Sequence, residues 1–131
     1  MYYYEKDYIM RLIHGIVRIL ARLLFNREPE EEGGISAMMH AACREDSDYL
    51  RRMVDAGQVN AAEEKLFDLL ENAAWDDRQK AALVLSFYDH VNGKDDGFLA
   101  AADFTRDEIV SGLEEAMKAV HMEIPEYLRI S

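Results

Sequence analysis

The stretch DYIMRLIHGIVRILARLLF, Asp7 to Phe25, constrains this chain more than any other. Large apolar side chains fill most of its positions, while Arg11, Arg18 and Arg22 fall within about 40° of one another on a wheel of 100° per residue. His14 and Gly15 lie beside them. The polar stripe is narrow, and two apolar seams with steps of three and four run down the remainder. One is Ile9, Ile13, Ile16, Leu20 and Leu23; the other is Met10, Ile13, Val17, Leu20 and Leu24. Leu12 and Ile19 widen the first seam. A helix apolar over about 200° needs cover on two sides, and the protein's own core supplies only one.

Three kinds of cover compete for the second side. Spanning a bilayer fails on magnitude, because three central arginines cost about 7.5 to 10.5 kcal/mol while the apolar residues return roughly 3 to 7. Exposure to water forfeits about 1.5 to 3 kcal/mol for each large side chain left uncovered. Reversible membrane-surface association through Arg11, Arg18 and Arg22 is one expectation, although interfacial helices carry a wider polar sector. The favoured expectation is a homo-oligomer, an isologous dimer, or else a complex with another protein. Its interface is expected to use Ile9, Met10, Ile13, Ile16, Val17, Leu20, Leu23 and Leu24, with Gly15 permitting close approach.

Charge sharpens the choice. The net charge is −11 over 131 residues. Residues 1–27 hold five basic and two acidic side chains, for +3, and the rest hold ten and twenty-four, for −14. A basic apolar helix thus sits on an acidic body, which favours docking on protein and opposes an anionic membrane. The same acidity has the wrong sign for neutralising phosphates, so no nucleic-acid partner is expected. One cysteine, Cys43, cannot form an intramolecular disulfide, and no secretory signal is evident, so the expected address is cytoplasmic.

The chain holds two prolines, Pro29 and Pro125, both outside the periodic segments, and the fold class is expected to be all-α. One helical domain spans 1–131: an amphipathic helix over 1–27, an acidic linker over 28–34, a helical body over 35–122 and a tail over 123–131. Ser36 is placed to cap a helix through Met38, Met39, Ala42 and Cys43, and Ser47 to start another through Leu50 and Val54. Gly57 ends that one. Asn60 and Glu63 resemble a capping box, and Asp76 or Asp77 opens the helix of Leu83, Leu85, Phe87, Tyr88 and Val91. In FTRDEI, Thr105 and Glu108 form a capping box while Phe104 and Ile109 form a hydrophobic staple.

Two resemblances follow from these residues. LRRMVDAGQVNAAEEKLFDLL, Leu50 to Leu70, resembles one and a half helices of a tetratricopeptide hairpin, with Gly57 at the turn and Ala62, Leu66 and Leu70 on the inner face. It departs from that family at Leu50, where a small residue is usual, and at Ala74, where a proline is; no second copy follows. The opening YEKDYIMRLI, Tyr4 to Ile13, is similar to a family of short uncharacterised bacterial proteins that begin Y-E-x-D-Y-I-M-R-x-I. That resemblance implies an all-helical cytoplasmic protein of unknown function and imports no catalytic residue; the body behind the first helix is expected to be antiparallel helical hairpins.

Chemistry has few candidates. His40 and Cys43 are spaced for one helix face, which suggests a metal-binding protein or an enzyme as an alternative, but no second ligand pair completes a zinc site. Asn92 to Asp103 matches a calcium loop in register except that Lys94 takes the third ligand position, so it reads as a polar turn before a short helix. His14, His90 and His121 have no carboxylate that sequence alone can pair with them. No catalytic residue, metal or cofactor is expected, and the expected role is non-catalytic protein–protein interaction or self-association.

Overall fold

The computed structural model describes residues 2–26, 34–72, 74–122 and 124–125, and of residues 2–7 and 72 the backbone alone. The chain forms α1 (Tyr2–Phe25), a 3-10 turn (Gly34–Met38), α2 (Ala41–Asp55), α3 (Val59–Asn72), α4 (Asp77–Asn92), α5 (Asp96–Ala101) and α6 (Arg106–Ala119), with no strand among the described residues. Of the predicted acidic linker only Gly34 falls within them, and of the tail only Ile124 and Pro125, with Ile124 buried.

The arrangement is set by α4. Every residue from Ala81 to Tyr88 is buried, because the run AALVLSFY is apolar around the whole helix apart from Ser86. Such a helix needs neighbours on all sides. α1 lies against it in the opposite sense: Asn92 Nδ2 donates to Met10 O at 2.8 Å, His14 Nδ1 is 2.9 Å from Asp89 Oδ1, and Arg78 donates to Leu24 O. α2 runs alongside in the same sense as α4, with Ser47 Oγ 3.3 Å from Ser86 Oγ and Asp55 Oδ1 2.7 Å from His90 Nε2. α6 is reversed again, from Arg106 beside Asn92 to His121 Nδ1, 3.4 Å from Asp77 Oδ2. Helices α2 and α3 pack together across the turn at Gly57, with Ala62, Leu66 and Leu70 of α3 buried.

Helix ends follow local chemistry where the sequence predicts them. Asp76 accepts from Gln79 N at 2.9 Å and opens α4; Asp95 accepts from Phe98 N at 2.8 Å and opens the short α5. Thr105 accepts from Glu108 N at 3.1 Å, and the staple residues Phe104 and Ile109 are both buried. Gly57 takes φ +86°, and Gln58 N reaches back to Met53 O at 3.0 Å, which closes the last turn of α2.

Three predicted boundaries are corrected. Ser36 lies inside the 3-10 turn and caps no α-helix; α2 begins after His40, where Gln79 Oε1 accepts from His40 N at 2.7 Å. Ser47 starts nothing, because Cys43, Ser47, Leu50 and Val54 form one buried stripe along an uninterrupted α2. Asn60 is already inside α3, and its amide donates to Ala102 O and Asp103 O, which ties α3 to the end of α5. In each case a tertiary partner outbids the local capping signal.

Two polar pins lie where α6 meets α4: Arg106 ties α6 to the end of α4, and Tyr88 of α4 is bonded to Glu63 of α3 beneath Gly112 of α6. Arg106 donates to Asn92 O at 2.7 Å and to Lys94 O at 2.7 Å, satisfying carbonyls at the C-terminal end of α4 where a cation is favourable. Deeper in, Tyr88 Oη donates to Glu63 at 2.6 Å, and burial pushes the Glu63 carboxyl above its ordinary value despite that bond. Gly112 passes directly over the pair: a Cβ there would stand 2.5 Å from both Glu63 Oε2 and Tyr88 Oη. Gly112→Ala is therefore expected to destabilise the fold by about 1 to 3 kcal/mol, although alanine is the better helix former by about 1. Urea denaturation checks it; a variant as stable as wild type would show that α6 does not approach this closely.

Candidate functional site

The predicted interface residues divide. Ile13, Ile16, Val17 and Leu20 are buried in the chain's own core, and Ile9 and Leu24 pack against its edge. In this packing those six face α1's own neighbours rather than a second molecule. Met10 is half-buried beside α4, and Leu23 alone of the eight is exposed, at 59 %. The reason is rotational: the helix turns the arc shared by both seams inward and leaves the flank beyond the first seam outside. That flank carries Tyr8, 60 % exposed, with half-buried Leu12 and Ile19 and the exposed Leu23. These positions step by four, seven and four residues and lie within about 60° of one another at 100° per residue. Gly15 shares the flank, and a Cβ on it would meet nothing within 4 Å.

On the other side of α1, a cleft of about 390 Å³ opens where α1, the 3-10 turn, α2 and the C-terminal half of α4 meet. Its wall includes Arg18 from α1, Arg51 from α2, His90 from α4 and Lys94 just beyond it. Asp55 Oδ1 accepts from Lys94 Nζ at 2.6 Å and lies 2.7 Å from His90 Nε2. Those bonds, Lys94 first and then His90, hold the Asp55 carboxyl below the ordinary aspartate value. His14 pairs with Asp89 rather than Asp89 with its neighbour His90, as the 100° step between adjacent helical residues requires. The sequence could not show these histidine–carboxylate pairs, because they join residues 75 and 35 positions apart. Ser86 in the wall is bonded to Ser47.

The structure places His40 and Cys43 in different environments. His40 is exposed at the N-cap of α2, whereas Cys43 is buried, with its thiol 3.6 Å from Gln79 O. Burial, and then the charge of Asp46, push the Cys43 thiol up to about 11. No cluster of three or more His, Cys, Asp or Glu residues placed to hold a metal occurs among the described residues. Asp95, which the calcium-loop register would make a neighbour of the ligand set, is the N-cap of α5. No described helix is long and apolar enough to cross a membrane.

The model of a family of unknown function (DUF6483) matches residues 3–121, and the chain belongs to that family. No curated protein and no solved structure matches it. With no relative to supply a chemistry, the thiol's own behaviour is the sharpest check on the His40–Cys43 reading. A folded pKa raised from 9.0 to about 11 means the native state keeps its proton when the unfolded state has lost it. The stabilisation is complete below about pH 9 and fades as pH rises toward about 11. A disulfide reagent at pH 8 should label native Cys43 far more slowly than the urea-unfolded chain; comparable rates would identify a reactive thiol.

Proposed function

We propose that the chain is a non-catalytic self-association module that pairs with a second copy through the outward flank of α1. The observation that carries this reading is the stripe of Tyr8, Leu12, Ile19 and Leu23, which stays at the surface after the opposite arc of the same helix has been buried. Gly15, open on that flank, lets a facing helix approach closely. Two copies bring eight such side chains together, worth roughly 6 to 12 kcal/mol if half of each is newly covered. Association costs about 4 to 15 kcal/mol, so the pairing is concentration-dependent.

Charge supports a second copy over the other occupants. The +3 of residues 1–27 on one chain is attracted to the −14 of the remainder on its partner, whereas an anionic bilayer would meet that acidic remainder as a repulsion. A cytoplasmic setting fits such a role. Light scattering across a concentration series should show the mass rising toward twice the 15.1 kDa of one chain. Ile19→Glu with Leu23→Glu should keep the helical circular dichroism and abolish the rise, while Ile16→Asp or Leu20→Asp should unfold the protein because those positions are core. A wild-type chain that stays monomeric at its solubility limit contradicts the proposal. Salt-sensitive sedimentation of that monomer with anionic vesicles would replace it with the membrane-surface reading.

A further inference from the structure

We infer that the cleft between α1, α2 and α4 is a binding site for a small oxyanion, a phosphoryl or carboxylate group on a ligand of metabolite size. Its volume of about 390 Å³ is that of a small-molecule site rather than of a packing defect. Its lining gathers basic side chains in an acidic protein. Arg18, Arg51 and Lys94 line it beside Asp89, with Asp55 behind Lys94, in a chain of −11. His14 and His90 in the same wall add charge when protonated.

Geometry adds to charge. Arg51 is half-buried in the wall, and no hydrogen bond or ion pair to it is found among the described residues. A planar guanidinium in that state is suited to a two-pronged contact with an incoming oxyanion. Asp55 holds Lys94 and His90 from a single oxygen, so the Lys94 ammonium, which keeps N–H groups to spare, is positioned before anything binds. Ser36 lines the same space. The cleft opens between helices of an acidic chain, which suits a small ligand better than a nucleic-acid backbone.

Calorimetric titration of the full chain with pyrophosphate, and separately with malonate, at constant ionic strength tests the inference and separates the two oxyanion classes. Saturable one-site binding of either anion is expected, weakened about tenfold or more in Arg51→Gln, the range of a lost charge-assisted hydrogen bond. Lys118→Gln, an exposed cation on α6 that takes no part in the cleft, should bind as wild type does. Absence of saturable heat with both anions overturns the assignment, as does equal weakening by Lys118→Gln. Should Arg51→Gln fail to fold, Arg51→Lys keeps the charge without the fork: weaker binding supports the site, and wild-type affinity refutes it.

Discussion

A helix with no polar face cannot lie on a surface, and the structure is arranged around that constraint. From Ala81 to Tyr88 the side chains of α4 point in every direction around the axis and all are buried. Each fully buried Leu, Val or Phe contributes about 1.5 to 3 kcal/mol, so covering only one side would leave much of that gain unrealised. α1, α2, α3 and α6 are each amphipathic and each turns its apolar arc toward the centre. The inward rotation of α1 follows from the same requirement. It presents Ile13, Ile16, Val17 and Leu20 to the core and leaves the Leu12, Ile19 and Leu23 flank outside.

Apolar burial alone would let these helices slide along α4, and a small set of polar contacts fixes their register. Asn92 donates to Met10 O on α1 and accepts from Arg106 of α6, so one side chain aligns three helices at the C-terminal end of α4. At the opposite end Gln79 donates to Met38 O and accepts from His40 N, holding the 3-10 turn and the start of α2. The Gln79 contacts give partners to Met38 O and His40 N, which lie outside any α-helical ladder, and a buried backbone group left unpaired costs about 1 to 3 kcal/mol. The same fixing of register brings Arg51 of α2 and Lys94 beside α1, so the basic cleft is a consequence of how the helices are keyed to α4.

The legible and illegible parts of this protein differ by the range of the interactions involved. Thr105 with Glu108, Asp76 and Gly57 were readable because each cap acts within a few residues. The helical class was readable from periodicity and from the placing of both prolines. Ser36, Ser47 and Asn60 carried equally good local signals that failed, since their neighbourhoods are set by α4 and α5 rather than by the next turn. Which arc of α1 turns inward was likewise hidden, because its apolar surface spans both seams and the flank beside them, and only the docking with α4 selects the arc the seams share. The run AALVLSFY, apolar on all faces, marks a central helix in the sequence itself. The cleft had no sequence signature, as its cations come from three elements joined by nothing local.

Native-state hydrogen exchange along the chain tests most directly whether the other helices are laid on α4. The account predicts that the amides of Leu83 to Tyr88 exchange only through global unfolding, at the free energy measured by denaturant, while α1 opens at lower cost. Faster exchange in α4 than in α2 or α3 would contradict it.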